Sequence, residues 1–273
     1  MVNPTQRPRS LILTVYGAHL RPLGGWIAIA DLITLLAELD VDAQAVRSAI
    51  SRLKRRGTVA PERRGGVPGY ALSEAGERMF AEGDRRIFGR APSARLADGW
   101  VLAVFSVPES ERERRHLLRS QLTWLGFGTT AAGVWVAPAH LLEEARGTLL
   151  AHGLDHYVHL FRADYVDFAP PAEAVAGWWD LDGLQRSYGE WLDRYAPTVD
   201  RWRRDGGSDQ QAFADYVTAL TDWRRLPYLD PGLPAELLPA RWNAEQARHL
   251  FADLSGFLRD PGQRHVTRIL TPA

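Results

Sequence analysis

The stretch DAQAVRSAISRLKRRG (Asp42–Gly57), followed by TVAPERR (Thr58–Arg64) and GGVPG (Gly65–Gly69), decides how the N-terminal part of this chain folds. Asp42 is a strong helix N-cap, because its carboxylate can accept from the free amides of the first turn. On a helical wheel Ala45, Val46, Ala49, Ile50 and Leu53 share one arc. Gln44, Arg47, Ser48, Ser51 and Arg55 share the opposite one, with Arg52 and Lys54 at the flanks. The polar arc carries guanidinium forks and short hydroxyls and no acid. Those groups reach base edges and phosphates from a helix in a DNA major groove. Gly57 ends the helix. Val59–Arg64, Gly65–Gly69 and Tyr70–Leu72 then read as strand, turn and strand. A helix followed by two strands around a basic turn is the layout of a winged helix. A surface helix with solvated arginines is the plainer reading, and the basic turn and the upstream elements argue against it.

Upstream, Ser10 is expected to cap a helix running to about His19, with Leu11, Ile12 and Val15 inward. The continuous Leu11-Ile12-Leu13 also allows a buried strand. Trp26-Ile27-Ala28 suits the short strand that completes the wing sheet. Asp31 caps Leu32–Leu39, and Asp40-Val41-Asp42 separates that helix from the next, giving a helix-turn-helix. Ser73 and Glu77 open an amphipathic helix to about Ile87, and Gly89-Arg90-Ala91-Pro92-Ser93 reads as a linker.

The middle stretch has a different rhythm. Strand Trp100–Val107, helix Ser110–Leu125, strands Phe127–Thr129 and Gly133–Val136, helix Leu141–His152 and strand His156–Arg162 give the ferredoxin-like β-α-β-β-α-β order. From about residue 175 the chain is helical and tryptophan-rich. Leu181, Leu184, Tyr188, Trp191 and Tyr195 have the spacing of a helix with one buried face. Pro197 is expected to start a second helix, and Phe213, Tyr216, Val217 and Leu220 mark another. Asn243 with Gln246 predicts a capping box for a last helix. Leu226–Pro239 reads as an irregular proline-rich passage. The fold class is therefore α+β and multidomain. It comprises a winged helix-turn-helix over 1–90, a ferredoxin-like βαββαβ domain over 95–170 and an α-helical domain over 175–273.

Composition narrows the chemistry. A chain of 273 residues, 45% hydrophobic and 24% charged, has the balance of ordinary globular domains. Cysteine is absent, which removes disulfides and thiolate sites and fits a reducing cytoplasm. No apolar run approaches the roughly 18 residues of a membrane span, and the N-terminus does not resemble a signal peptide. Net charge is zero overall, yet residues 1–90 hold 14 Lys+Arg against 9 Asp+Glu. A basic head on an acidic body suits a protein that touches nucleic acid with one end. Lys54 is the single lysine, so no Walker A loop exists, and no serine sits in G-x-S-x-G.

Three passages together resemble the PaaX-type transcriptional regulators, the family named for the repressor of bacterial phenylacetate catabolism. They are AVRSAISRLKRRG (Ala45–Gly57) with YALSEAG (Tyr70–Gly76), DGWVLAVFSVPE (Asp98–Glu109) and DPGLPAELLPARWNAEQAR (Asp230–Arg248). The resemblance spans about residues 8–260. It implies the winged-helix and helical domains, with a middle domain similar to the small subunit of the CRISPR spacer-integration complex. It further implies a homodimer that controls a promoter until an aromatic acyl-CoA, such as phenylacetyl-CoA, releases it.

Relatives of the middle domain that cut nucleic acid carry an aspartate at the end of the first strand. Here that stretch is Val104-Phe105-Ser106-Val107, with no acid until Glu109, and a hydroxyl is a poor magnesium ligand beside a carboxylate. On a strand His156 and His159 would point to opposite faces, away from a shared metal with His152. No catalytic residue, metal site or cofactor is expected. A metal-dependent nuclease and a protein–protein adaptor with a non-binding winged helix are the competing readings. Trp178, Trp179, Trp191, Trp202, Trp223 and Trp242 are first of all core residues. An acyl-CoA pocket nevertheless needs apolar walls with cations nearby, and Trp223 with Arg224 and Arg225, or Trp242 with Arg241, supplies that pairing. On the DNA side, Gln44, Arg47, Ser48, Ser51 and Arg55 are expected to meet bases or phosphates, and Arg52 and Arg56 phosphate. Arg63 and Arg64 on the wing are expected to reach backbone or minor groove. A dimer would set two such helices about one DNA turn apart on a palindromic or near-palindromic double-stranded operator.

Overall fold

A computed structural model describes residues 8–89, 94–166 and 168–271. Arg90–Ser93 of the expected linker lie outside the described residues. The chain collects into two compact units, one drawn from Met1–Phe88, Gly189–Arg224 and Glu245–Ala273, the other from Gly89–Tyr188 and Arg225–Ala244.

In the first unit α1 (Pro8–Val15) continues as a π-helical turn over Tyr16–Leu20. Leu11-Ile12-Leu13 is therefore helix and not strand, continuously apolar because Leu11 to Val15 are all buried. Ser10 lies inside α1 and does not cap it; Pro8, with its fixed φ, starts the helix. β1 (Trp26–Ala28) and α2 (Ile29–Ala37) follow, with Asp31 in the first turn of α2 and not at its cap. Asp40, at φ 57°, turns the chain toward α3 (Ala43–Arg55). The hairpin of β2 (Val59–Arg64) and β3 (Val67–Leu72) pairs Val59 with Leu72 and Arg64 with Val67, in a sheet of order β1-β3-β2. Its turn is Gly65-Gly66 alone, shorter than the five residues read from the sequence. Both glycines have positive φ, 55° and 83°, which a two-residue hairpin turn requires. α4 (Glu74–Ile87) starts at the Ser73 cap.

Three further helices contribute to this unit: α8 (Leu181–Asp205) from Gly189 on, α9 (Asp209–Trp223), and α11 (Asn243–Leu270) from Glu245 on. Leu11, Tyr16, Leu36, Val46, Ile50 and Leu53 share one core with Phe213 and Val217 of α9 and Val266 of α11. Pro197 does not start a new helix but sits inside the 25-residue α8. A proline inside a helix costs about 3 kcal/mol. Burial of Tyr195, Val199 and Trp202 on either side of it offsets that cost and keeps the helix whole.

The second unit holds β4 (Trp100–Phe105), α5 (Arg112–Trp124), β5 (Gly128–Ala131), β6 (Val134–Pro138), α6 (Leu142–Ala151) and β7 (Val158–Ala163). Every neighbour in the sheet order β5-β6-β4-β7 is antiparallel, the split order of the ferredoxin-like pattern. Val101, Ala103, Trp135 and Ala137 face a core with Leu118, Leu122, Ala145 and Leu149 from the helices. On the alternate face Trp100 and Val136 meet Val175 of α7 (Pro171–Trp178), Leu181, Leu233 and Leu237. Burial on both faces explains why β4 is apolar throughout. His156 precedes β7, in a 3-10 turn over Asp155–Tyr157, so strand alternation does not apply to it. The proline-rich passage includes a short α10 (Leu226–Leu229). Asn243 makes no capping box with Gln246; its amide N–H donates instead to Gln185 Oε1 at 2.9 Å. Among the described residues no helix is long and apolar enough to cross a membrane.

Candidate nucleic-acid interface

α3 turns Val46, Ala49, Ile50 and Leu53 inward, where they pack with α1 and α2. Its start is fixed by Asp42, whose carboxylate accepts from the Ala45 amide at 2.9 Å. Its end is fixed by Gly57 at φ 71° and by the Thr58 amide donating to Leu53 O at 3.0 Å. Ser73 ties that end to α4: its hydroxyl donates to Thr58 O at 3.1 Å and accepts from the Gly76 amide at 3.0 Å. With the helix held on three sides, Gln44, Arg47, Ser48, Ser51, Arg52, Lys54, Arg55 and Arg56 are all exposed. None of these five cations has a carboxylate partner among the described residues.

The hairpin arginines are in a different state. Arg63 folds back, with Nε and a terminal nitrogen donating to Gly66 O at 3.2 and 2.9 Å. Arg64 Nε donates to Glu62 Oε1 at 2.6 Å, and its guanidinium lies 5.3 Å from the centre of the Trp26 ring. Trp26 Nε1 in turn donates to Glu62 O at 3.2 Å. These contacts stiffen the hairpin, and Glu62 offsets part of its positive charge.

One basic residue at this end of the unit escaped the sequence reading. Arg9 lies in the first turn of α1, which packs along α3. Its Nε is buried without a hydrogen-bond partner among the described residues, and burial, followed by the charges of Arg56 and Arg52, lowers its guanidinium pKa below the ordinary arginine value. The sequence signal was a cation at a helix start, the end that favours anions.

The five residues expected at an effector pocket divide between the units. In the first, Trp223 is buried, with its ring 4.7 Å from that of Phe251 and 5.1 Å from that of Trp191. Its Nε1 donates to Ile87 O at 3.2 Å, so it holds the core. Arg224 donates to Ser10 O at 3.2 Å. Arg225, Arg241 and Trp242 belong to the second unit. The two arginines are exposed, and Trp242 is half-buried with its ring edge toward Tyr188 at 6.0 Å.

At the end of β4, Ser106 is exposed and Glu109 accepts from Arg115 at 2.8 Å. Asp98 accepts from the Arg95 backbone amide and side chain, which hold its carboxyl below the usual range. Among the described residues no three His, Asp or Glu side chains gather as a metal site would require.

Models of known families match three consecutive stretches of the chain. They are described as PaaX-like protein (residues 7–76), PaaX protein central Cas2-like domain (93–175) and PaaX-like protein C-terminal domain (179–268). The chain is 28% identical over 276 residues to the transcriptional repressor PaaX of Escherichia coli K12, covering 96% of this chain and 86% of that protein. It is similar in fold to the solved structure of the uncharacterized protein Rv0674 from Mycobacterium tuberculosis. That match has a TM-score of 0.63 and 23% identity, and covers 95% of this chain and 98% of the other.

Proposed function

Because the chain belongs to the PaaX-like family, we propose that it is a DNA-binding transcriptional repressor and not an enzyme, gripping duplex DNA with a winged helix-turn-helix built from α2, α3 and the β2–β3 hairpin. The observation that carries this reading is the outward face of α3, where exposed arginines without carboxylate partners among the described residues stand over a fully buried apolar stripe. Gln44, Arg47, Ser48, Ser51 and Arg55 enter the major groove and meet base edges or phosphates. Arg52 and Arg56 hold phosphate, and the stiffened hairpin brings Arg63 and Arg64 to the backbone or minor groove. The protein acts in the cytoplasm as a homodimer on a palindromic or near-palindromic operator, and an aromatic acyl-CoA binds the region 170–260 and releases it. The metal-dependent nuclease loses ground because Glu109 and Asp98 are already engaged by arginines.

The test uses the full chain and duplexes selected from a randomised pool, titrated at several salt concentrations without divalent metal. Binding should weaken steeply with salt. Arg47→Ala should lose about 1–3 kcal/mol on the selected duplex and relax preference at one base position. Phenylacetyl-CoA or a related thioester should quench tryptophan fluorescence and weaken binding roughly 5–150-fold. No salt-dependent affinity for any duplex would sink the DNA reading. Affinity indifferent to a panel of acyl-CoAs would sink only the release mechanism.

A further inference from the structure

We propose that Trp26 is the positioning residue of the β2–β3 hairpin: its ring holds the Arg64 guanidinium for a backbone phosphate of duplex DNA, and Glu62 occupies that guanidinium until the phosphate displaces it. The inference rests on the DNA-binding reading above and adds a residue of β1, outside both the hairpin and α3.

The register of the sheet puts these side chains on one face. Trp26 pairs with Ala71, and Ala71 with Ala60; Gly69 pairs with both Ala28 and Glu62; Val67 pairs with Arg64. Paired residues point the same way, and alternate residues of a strand share a face. Trp26, Ala60, Glu62, Arg64, Gly69 and Ala71 therefore lie together. Ile27, Val59, Tyr70 and Leu72 lie on the opposite face, packed with the core. Between Trp26 and the far strand the residues are small, namely Ala71, Ala60 and Gly69. A Cβ at Gly69 would stand 2.7 Å from the Trp26 ring, so the indole lies directly on the β3 backbone. That clearance lets a side chain of β1 reach across β3 to β2.

Three contacts converge there. Trp26 Nε1 donates to Glu62 O at 3.2 Å, which fixes the direction of the indole. The Arg64 guanidinium lies 5.3 Å from the centre of the ring, within range of cation–π attraction. Arg64 Nε donates to Glu62 Oε1 at 2.6 Å, while its two terminal nitrogens meet no acceptor among the described residues. A ring face attracts the cation without using any N–H, so the fork stays open to phosphate oxygens. An arginine already held in place also gives up less side-chain freedom on binding. Arg63 differs, since it points to the other face and donates twice to Gly66 O. The Arg64 and Glu62 side chains are 48% and 43% exposed, so their ion pair is weak and a phosphate can replace the carboxylate. Because a phosphate contact carries no base information, the grip strengthens binding to every duplex and leaves sequence preference to α3.

The test compares full-length Trp26→Leu, Trp26→Phe, Arg64→Ala, Glu62→Gln and the double variant Trp26→Leu/Arg64→Ala with the parent. Each is titrated with the selected duplex and a scrambled one across salt concentrations, and melted without DNA. Trp26→Leu should bind both duplexes about two- to fivefold more weakly, the range of an exposed cation–π contact, with their affinity ratio unchanged. Trp26→Phe, which keeps a ring, should retain most of the parent's affinity. In the Arg64→Ala background Trp26→Leu should cost nothing further. Glu62→Gln should bind up to about fivefold more tightly and with a steeper salt dependence, because an exposed ion pair no longer competes. A Trp26 that served the fold alone would weaken binding equally with and without Arg64, and that additive loss overturns the proposal. Parental affinity in Trp26→Leu overturns it as well. Glu62→Gln is an exposed change that decides even where Trp26→Leu does not fold: affinity no higher than the parent's overturns the proposal. In each of these cases a continued loss in Arg47→Ala leaves the DNA reading standing. A parent without affinity for any duplex removes that reading and this inference together.

Discussion

Arginine does opposite things in two regions of this molecule. In the C-terminal helices five arginines are neutralised: Arg194 pairs with Asp222 at 3.1 Å, Arg201 with Asp215, Arg203 with Asp253, and Arg264 and Arg268 both with Asp209 at 2.8 Å. On α3 arginine is left over, with Arg47, Arg52, Arg55 and Arg56 exposed and without carboxylate partners among the described residues. A net charge of zero conceals this, because composition sums over both regions. The paired charges contribute to the fold, and the unpaired ones of α3 are those the proposed DNA contact uses. That distinction can be broken at several points.

The largest expected effect lies on the structural side. Trp223→Ala removes a ring stacked on Phe251 and donating to Ile87 O, and should destabilise the fold by about 3–5 kcal/mol in denaturant unfolding. The fraction that remains folded should keep the parent's preference among duplexes. A variant of parental stability that no longer responds to acyl-CoA would instead make Trp223 a ligand residue.

Next comes a place where the same unit excludes charge. His19 is fully buried, and Gln263 Nε2 donates to its carbonyl at 3.2 Å, which turns Gln263 Oε1 toward His19 Nδ1, also at 3.2 Å. Nδ1 therefore donates, and Nε2 is left bare and unpartnered. Burial, with Arg259 and His265 nearby, pushes the imidazole down to about 4 from an ordinary 6.5. Between those values the unfolded chain takes up a proton that the folded chain refuses. The stabilising contribution is complete above about pH 6.5 and is lost as pH falls to about 4, amounting to about 3 kcal/mol. His19→Gln should flatten the acid limb of stability against pH by up to one proton. Equal slopes for parent and variant would mean that His19 is charged in the fold.

Much of this was readable in advance, and the reasons are local. α3 was bounded by Asp42 and Gly57 and marked by a period of Val46, Ala49, Ile50 and Leu53, all set by neighbours a few residues away. The β-α-β-β-α-β order of elements in the middle unit followed in the same way. Pro197 misled because a proline's local cost is visible in sequence, whereas the burial of Val199 and Trp202 that offsets it is not. The Arg63 and Arg64 contacts depend on a hairpin register set by Gly65-Gly66, not on charge pattern. Arg9 was missed because the charges that act on it, those of Arg52 and Arg56, lie more than forty residues away in the sequence. For the same reason the sharing of one core by Leu11, Phe213 and Val266 could not be read from any window of sequence.

The smallest expected effect is the sharpest test of the comparison. Arg201 pairs with Asp215 through side chains that are 49% and 26% exposed, so water and salt screen the attraction. Asp215 also accepts from Trp202 Nε1 at 2.8 Å, and that bond survives when Arg201 is removed. Arg201→Ala should therefore cost less than about 1 kcal/mol of stability, and less still at high salt. Asp215→Ala should cost more, about 1–3 kcal/mol, because the buried Trp202 N–H loses its acceptor. On DNA the order reverses. Arg201→Ala should leave the salt slope of duplex binding unchanged, since its charge is already spent on Asp215. Arg52→Ala, without a carboxylate to release, should lower that slope by about one unit. Equal slope changes for the two variants would show that the ion pairs of the C-terminal helices do not withhold their arginines from DNA. The contrast between spent and unspent arginine would then fail.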